Sequence, residues 1–238
     1  MSRHAQDESV RRVALVTGAN RGLGEAIARG LVTRGLEVVI GSRSVAAGEA
    51  TAAALGDSAW AVSLDVTSAA SVAAALAIVT ERAGRIDVLV NNAAAHPDFG
   101  VPPSTVTDAD VQIALETNLI GPWRICRGVV AAMRQQRYGR IVNVSTRSGT
   151  FSATWSNAPA YGVSKAALNM FTLQFANELR GTGVLVNACC PGVVRTRMGG
   201  PTAELSPDEG ADTPIWLATL DDGGPTGQMF ADRTAIEW

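Results

Sequence analysis

Cysteine, charge, histidine and long hydrophobic runs are all scarce in this 238-residue chain, and each scarcity removes a class of protein. Of the three cysteines, Cys189 and Cys190 are chain neighbours that would bridge only through a strained turn, and with Cys126 they match no zinc spacing. All three read as reduced core residues, which suits a reducing compartment, so a cytoplasmic protein is expected. Charged residues make up 18% and the net charge is -2, which gives no surface for a polyanion and argues against nucleic acid as a partner. No uninterrupted apolar stretch approaches the roughly 20 residues that cross a bilayer, so no membrane partner is expected. Residues 1–12 carry Arg3, Asp7, Glu8, Arg11 and Arg12 without an apolar run, which excludes the core of a secretory signal and reads as a short solvated tail. Of the two histidines, His4 falls in that tail and His96 has no second histidine or paired carboxylate near it in sequence, so no metal is expected.

What the chain does have is regular alternation. Short apolar, β-branched runs at Val13–Thr17, Glu37–Ile40, Ala59–Val66, Asp87–Val90, Arg140–Val144 and Val184–Ala188 read as strands buried on both faces. Between them, Leu23–Arg34, Ser71–Ala83, Val111–Arg137 and Ser164–Leu179 read as helices. Strands and helices in this order give right-handed crossovers, so the expected fold is α/β. It is a single domain over 13–238, a doubly wound (Rossmann) parallel β-sheet flanked by helices on both faces. In such a sheet the ligand lies beyond the carboxyl ends of the strands. The irregular stretches Ala95–Thr107, Arg147–Ala160 and Gly192–Gly210 are therefore the expected borders of the site.

The first strand runs into Thr17-Gly18-Ala19-Asn20-Arg21-Gly22-Leu23-Gly24 and then a helix. Glycine allows the dihedrals of such a turn and a close backbone approach, and the helix start supplies amide donors and a positive dipole end, together a cradle for a pyrophosphate. Near the end of the second strand an acidic side chain would accept hydrogen bonds from an unmodified ribose. Here the stretch is Ile40-Gly41-Ser42-Arg43, and Arg43 with Arg21 would instead clamp a 2′-phosphate, so NADP(H) is the expected cofactor.

Tyr161 and Lys165 lie four residues apart, on one face if the segment is helical. An ammonium held near a phenol favours the phenolate and brings a group of ordinary pKa near 10 into a useful range. Together with Gly18–Gly24, Asp65-Val66, Asn91-Asn92-Ala93-Ala94, Asn118, the Val142-Asn143-Val144-Ser145 strand end and Pro191-Gly192, this pair resembles the short-chain dehydrogenase/reductase family in order and spacing. The likeness runs from about Val13 to the C-terminus. The tail, Pro191 to Pro201 and then Ser206 to Ala211, resembles the carbonyl reductase branch, which typically uses NADPH.

The resemblance implies hydride transfer between NADP(H) and a ketone or aldehyde and its alcohol, with a role for each matching residue. Tyr161 would protonate the carbonyl oxygen, Lys165 would hold the nicotinamide ribose and lower the phenol's pKa, and Asn118 would hold a water of the proton relay. Gly18, Asn20, Arg21, Gly22, Leu23 and Gly24 would cradle the phosphates. Asp65 with Val66 would meet the adenine, Asn92, Ala93 and Ala94 the adjoining ribose, and Pro191, Gly192, Val194 and Thr196 the nicotinamide end.

The family's serine at the strand end falls on Thr146, which keeps a hydroxyl but narrows its rotamers. Ser148 is the main alternative, being 13 residues before Tyr161 (161 - 148 = 13), and Ser145 the third. Phe151, Trp155 and Met198 are placed to give the site apolar walls, and His96 to edge it. The interval from Thr146 to Tyr161 is too short for the extra helix that some carbonyl reductases carry there, which leaves the helices at 111–137 and 164–179 free to pair in a homodimer or homotetramer. Two other readings of the same fold stay open: an epimerase or dehydratase holding its cofactor tightly, and an NADP-sensing protein without useful catalysis.

Overall fold

A computed structural model describes residues 11–153 and 157–238. The described residues form one eight-stranded sheet in the order β3-β2-β1-β4-β5-β6-β7-β8. Its strands are β1 Val13–Thr17, β2 Glu37–Ser42, β3 Ala59–Ser63, β4 Val88–Asn91, β5 Gly139–Val144, β6 Val184–Cys189, β7 Met229–Ala231 and β8 Thr234–Ile236. All pairs are parallel except the β7–β8 hairpin at one edge. The helices are α1 Gly22–Thr33, α2 Val45–Leu55, α3 Ala69–Ala83, α4 Asp108–Leu115, α5 Gly121–Gln136, α6 Pro159–Glu178 and α7 Pro207–Ala218.

Strands β1, β4, β5 and β6 are buried along their whole length because helices cover both faces. Val72, Val79, Ile125, Met133, Leu168 and Phe171, from α3, α5 and α6, fill one layer. Ile27, Leu31, Ile215 and Leu217, from α1 and α7, fill the other. Each fully buried side chain of this kind stabilises the fold by ~1.5–3 kcal/mol relative to exposure.

Three departures from the sequence reading have local causes. The helix expected over 111–137 is interrupted by a π-helical turn at Glu116–Ile120, which separates α4 from α5. Gly121 there packs so closely on Val66 that a Cβ would come within 2.9 Å of it. The strand expected to reach Val66 stops at Ser63, because the Asp65 carboxylate accepts from both the amide and the hydroxyl of Thr67 and turns the chain out of the sheet. Neither α2 nor α7 stands out by apolar periodicity. Helix α2 buries only the small residues Gly48, Thr51 and Ala52, while α7 starts at a capping box between Ser206 and Glu209 and carries Pro214 inside it.

Strand order reverses between β1 and β4, whose neighbours β2 and β5 lead outward in opposite directions. The crevice beyond the carboxyl ends of the two central strands is the ligand position such a sheet offers.

Candidate active site

The turn after β1 is built for close approach. Gly18 and Gly22 have φ of 63° and 57°, in the left-handed region that favours glycine. A Cβ on Gly24 would lie 2.5 Å from both the Asn92 side-chain nitrogen and the Gly18 carbonyl oxygen, so no larger residue fits. Thr17, which the sequence reading did not weigh, locks the turn to the end of β4: its hydroxyl accepts from the amides of Asn92 and Ala93 at 3.0 and 2.9 Å. The Asn92 side-chain nitrogen then donates to the Thr17 and Gly18 carbonyls. The threonine just before the first glycine was the signal available. Across the turn, Thr196 packs against Gly22, so the loop after β6 closes the third side.

Helix α1 starts at this turn with an extended Arg21 as its cap residue and no side-chain cap. Its counterparts α2, α3, α4 and α7 are all capped, by Ser44, Ser68, Thr107 and Ser206. An uncapped helix start beside three crowded glycines leaves amide donors aimed outward, the arrangement that takes a phosphate. The residues present therefore fit a dinucleotide. Asn20 supplies its carbonyl to the Thr51 hydroxyl, and Leu23 packs on the core beneath the turn.

Arg21 and Arg43 are both exposed, with no carboxylate from Gly41 to Ser44. The Asp65 carboxyl sits below its ordinary pKa, chiefly through the Thr67 hydroxyl, with Arg43 adding charge attraction. Val66 is buried against Gly121, and Ala94 is partly exposed at the β4 turn. Pro191 and Gly192 follow β6, with Gly192 at φ 77° against Leu205, and Val194 is buried, bridging to Leu205.

On the other side of the crevice, α6 carries Tyr161 and Lys165 one turn apart. The Lys165 ammonium is buried, donates to the Val144 carbonyl at 2.7 Å and lies 5.7 Å from the centre of the Tyr161 ring. Gly149 presses on the Lys165 backbone, where a Cβ would come within 2.8 Å. Burial pushes the Lys165 pKa down to about 8. Burial, with the Cys190 thiol adding, pushes the Tyr161 phenol above its ordinary value, so in the free protein it keeps its proton.

Asn118, in the π-helical turn, accepts from the Ala95 amide and donates to the Ala95 carbonyl and the Ser164 hydroxyl, all at 2.8 to 2.9 Å. Its side chain thus brackets the loop after β4 against α6. A π turn in a helix is a frequent mark of a functional position.

Of the three hydroxyl candidates, Ser145 stands apart from the other two. Ser145 is buried and donates to Asn169 at 2.6 Å, which turns it into the interior. Thr146 and Ser148 are partly exposed, with hydroxyls 3.4 Å apart, and the Ser148 amide donates to the Thr146 oxygen. The Ser148 carbonyl lies over Gly162, next to Tyr161. Of the expected apolar walls, Phe151 and Met198 are exposed and Trp155 lies outside the described residues. His96 stands closer to the chemistry than its sequence context suggested, stacked on the Tyr161 ring at 4.2 Å.

Fold and site together define a dinucleotide-binding α/β domain with a tyrosine-lysine pair at the mouth of the crevice. The family model described as short chain dehydrogenase matches residues 12–206, and the chain belongs to that family. It is 34% identical to carbonyl reductase [NADPH] 1 of Sus scrofa over 95% of this chain and 94% of the relative. It is likewise 34% identical to the same-named protein of Mus musculus over 97% and 99%. The first of these alignments runs over 277 positions against 238 residues here, so that relative carries extra internal residues. Among solved structures, a metagenomic short-chain oxidoreductase in complex with NADP is 35% identical with a TM-score of 0.78, covering 90% of this chain and 93% of that one. A 3-ketoacyl-(acyl-carrier-protein) reductase from Brucella melitensis, complexed with NADH, is 26% identical with a TM-score of 0.84, covering 93% and 96%.

Proposed function

We propose that the protein is an NADP(H)-dependent carbonyl reductase that carries a ketone or aldehyde to its alcohol. The observation that carries the reading is Tyr161 one helical turn from buried Lys165, set across the crevice from the open start of α1. The likeness to relatives named for NADPH and for carbonyl reduction supports it, as does the NADP-bound relative.

The glycine turn, Arg21 and Arg43 would hold the phosphates, Asp65 and Val66 the adenine, Asn92, Ala93 and Ala94 the ribose. Lys165 with Pro191, Gly192, Val194 and Thr196 would hold the nicotinamide end. NADPH supplies the hydride when bound. Thr146 donates a hydrogen bond to the substrate oxygen, where negative charge develops. Tyr161 gives its phenolic proton to that oxygen, and the Lys165 charge steadies the phenolate left behind until solvent restores the proton. Burial thus opposes the lowering expected from Lys165: the phenol is loaded at neutral pH, and the Lys165 charge would be what makes it a usable acid once substrate is in place. Asn118 holds the relay side of the site by fixing Ala95 against α6.

The test is NADPH consumption with a panel of aromatic, aliphatic and polycyclic carbonyls, beside Tyr161→Phe. Turnover is expected with NADPH, and the variant should lose at least ~10²-fold, the scale of general acid catalysis. Tight NADPH binding with no turnover on any carbonyl would overturn the reading.

The reading extends to place and assembly: a cytoplasmic protein acting as a homodimer or homotetramer. Three free, buried cysteines support a reducing compartment, and no helix among the described residues is long and apolar enough to cross a membrane. For assembly, Ile113 on α4, Trp123 on α5 and Met170 on α6 are exposed, and Trp123 packs on Phe171 of α6. A shallow cavity lined by Ile120, Trp123, Arg124 and Arg127 lies on the same face. Light scattering should show at least two chains per particle, and a clean monomer at micromolar concentration would exclude this assembly.

A further inference from the structure

Helix α6 starts with a deficiency that its own sequence does not repair. Its cap residue, Ala158, has no side-chain acceptor, and Pro159 has no amide, so the first free donors are the amides of Ala160 and Tyr161. Both find one carboxylate, that of Asp98, from the loop after β4. It accepts from the Ala160 amide at 2.5 Å and the Tyr161 amide at 3.3 Å, and is itself fully buried.

That loop is held at both ends. Ala95 is bonded in both directions by Asn118, and the Gly100 amide donates to the Asn157 carbonyl just before α6. Between these anchors, His96 stacks on Tyr161 with an interplanar angle of 26°, and Phe99 packs edge-on against the imidazole at 5.5 Å. Burial lowers the His96 pKa; Asp98 opposes this and Lys165 adds to it, so the stacked ring is neutral. The His96 Nε2 atom is buried without a partner among the described residues.

We propose that Asp98 and His96 are positioning residues for Tyr161: the carboxylate fixes the backbone turn that bears the phenol, and the imidazole fixes the plane of its ring. This rests on the reading of Tyr161 as proton donor, so the test includes a readout that needs no turnover. A ring in the first turn of a helix without a cap of its own can shift with that turn, and a misplacement of about 1 Å costs ~10²-fold in a positioned reaction. A buried carboxylate reaching across from the loop after β4 removes that freedom at the backbone, and a stacked ring removes it at the side chain.

The experiment compares Asp98→Ala, Asp98→Asn and His96→Ala. Asp98→Ala should lower kcat about 10- to 100-fold while leaving NADPH affinity within about twofold, since its carboxylate bonds the first turn of α6 and not the phosphate-binding turn. Asp98→Asn keeps an acceptor oxygen and should recover kcat to within about threefold, which a purely structural loss of charge would not allow. His96→Ala should lower kcat about 5- to 10-fold. Added to Tyr161→Phe, neither Ala variant should cause further loss, because both act through the phenol.

The turnover-free readout uses the fact that the chain has two tyrosines. The other, Tyr138, has a buried hydroxyl with no partner among the described residues, so Tyr138→Phe breaks no hydrogen bond seen there and leaves Tyr161 as the sole phenol. Its phenolate absorption band should then titrate well above the ordinary value near 10, and move down toward it in Asp98→Ala and His96→Ala as the ring meets water. An unmoved midpoint, or an Asp98→Ala kcat within twofold of the parent, would overturn the proposal. Full turnover by Tyr161→Phe with the midpoint shifts intact would instead sink the proton-donor reading and leave the positioning in place.

Discussion

Two helices, α1 and α6, meet the crevice with their N-termini and lack a capping side chain of their own, yet the structure treats them in opposite ways. At α1 the donors are left open, beside Gly18 and Gly22 in the left-handed region, Gly24 with no room for a side chain, and the exposed cations Arg21 and Arg43. At α6 the donors are closed by Asp98, a buried carboxylate belonging to the protein. The same backbone feature thus serves two needs. An open start accepts an anion that comes and goes with each turnover, whereas a closed start fixes a side chain that has to stay in place.

The largest effect should come from making α1 resemble α6. Arg21→Asp would install an N-cap carboxylate at a residue already extended (φ -176°, ψ 167°), as capping requires. The helix should gain about 0.5–2 kcal/mol, read as a higher Tm of the free protein. NADPH affinity should fall at least ~100-fold, because the new carboxylate occupies the amides and repels the phosphates where a cation stood. A variant with higher Tm and unchanged NADPH affinity would show that the open start is not the phosphate site.

At the closed end the comparison is sharpened by the two neighbouring hydroxyls. Thr146→Ala should lower kcat about 10²-fold, the scale for removing one donor to a developing oxyanion, with NADPH affinity unchanged. Ser148→Ala should cost less than about fivefold, because its amide and hydroxyl both lie on Thr146 and mainly shape that residue. The reverse order of the two losses would move the polarising role to Ser148.

How much of this was legible in the sequence follows the same division. The α1 end is encoded locally: a β-branched run, three glycines at fixed spacing and an apolar helix face all fall within about 20 consecutive residues, and the pattern specifies strand, turn and helix together. The tyrosine and lysine were legible too, since four residues in a helix place both on one face. The cap on α6 was not. Asp98 lies 62 residues before Ala160, in a loop without periodicity, and only the tertiary fold brings carboxylate and amides together. His96 was read as an ordinary pocket-edge residue for the same reason, because stacking depends on two loops meeting. The π-helical turn escaped notice because an apolar helical pattern over 111–137 continues straight through it, and the insertion shows only once Gly121 packs on Val66.

The smallest of the expected effects tests what the open end selects. Arg43 follows Ser42 at the end of β2, in a stretch without a carboxylate, and is exposed. Guanidinium and phosphate pair through two parallel hydrogen bonds, but an exposed pair is weakened by water and salt, so the low end of the range for charged hydrogen bonds applies, about 1.5 kcal/mol. Arg43→Ala should therefore raise the KM for NADPH about tenfold and leave that for NADH unchanged, and the gap should shrink in high salt, where screening erodes the native pairing. Equal shifts for both cofactors would mean that Arg43 supports the turn in general and reads no 2′-phosphate. Arg21, nearer the helix start, would then be the residue on which cofactor choice turns.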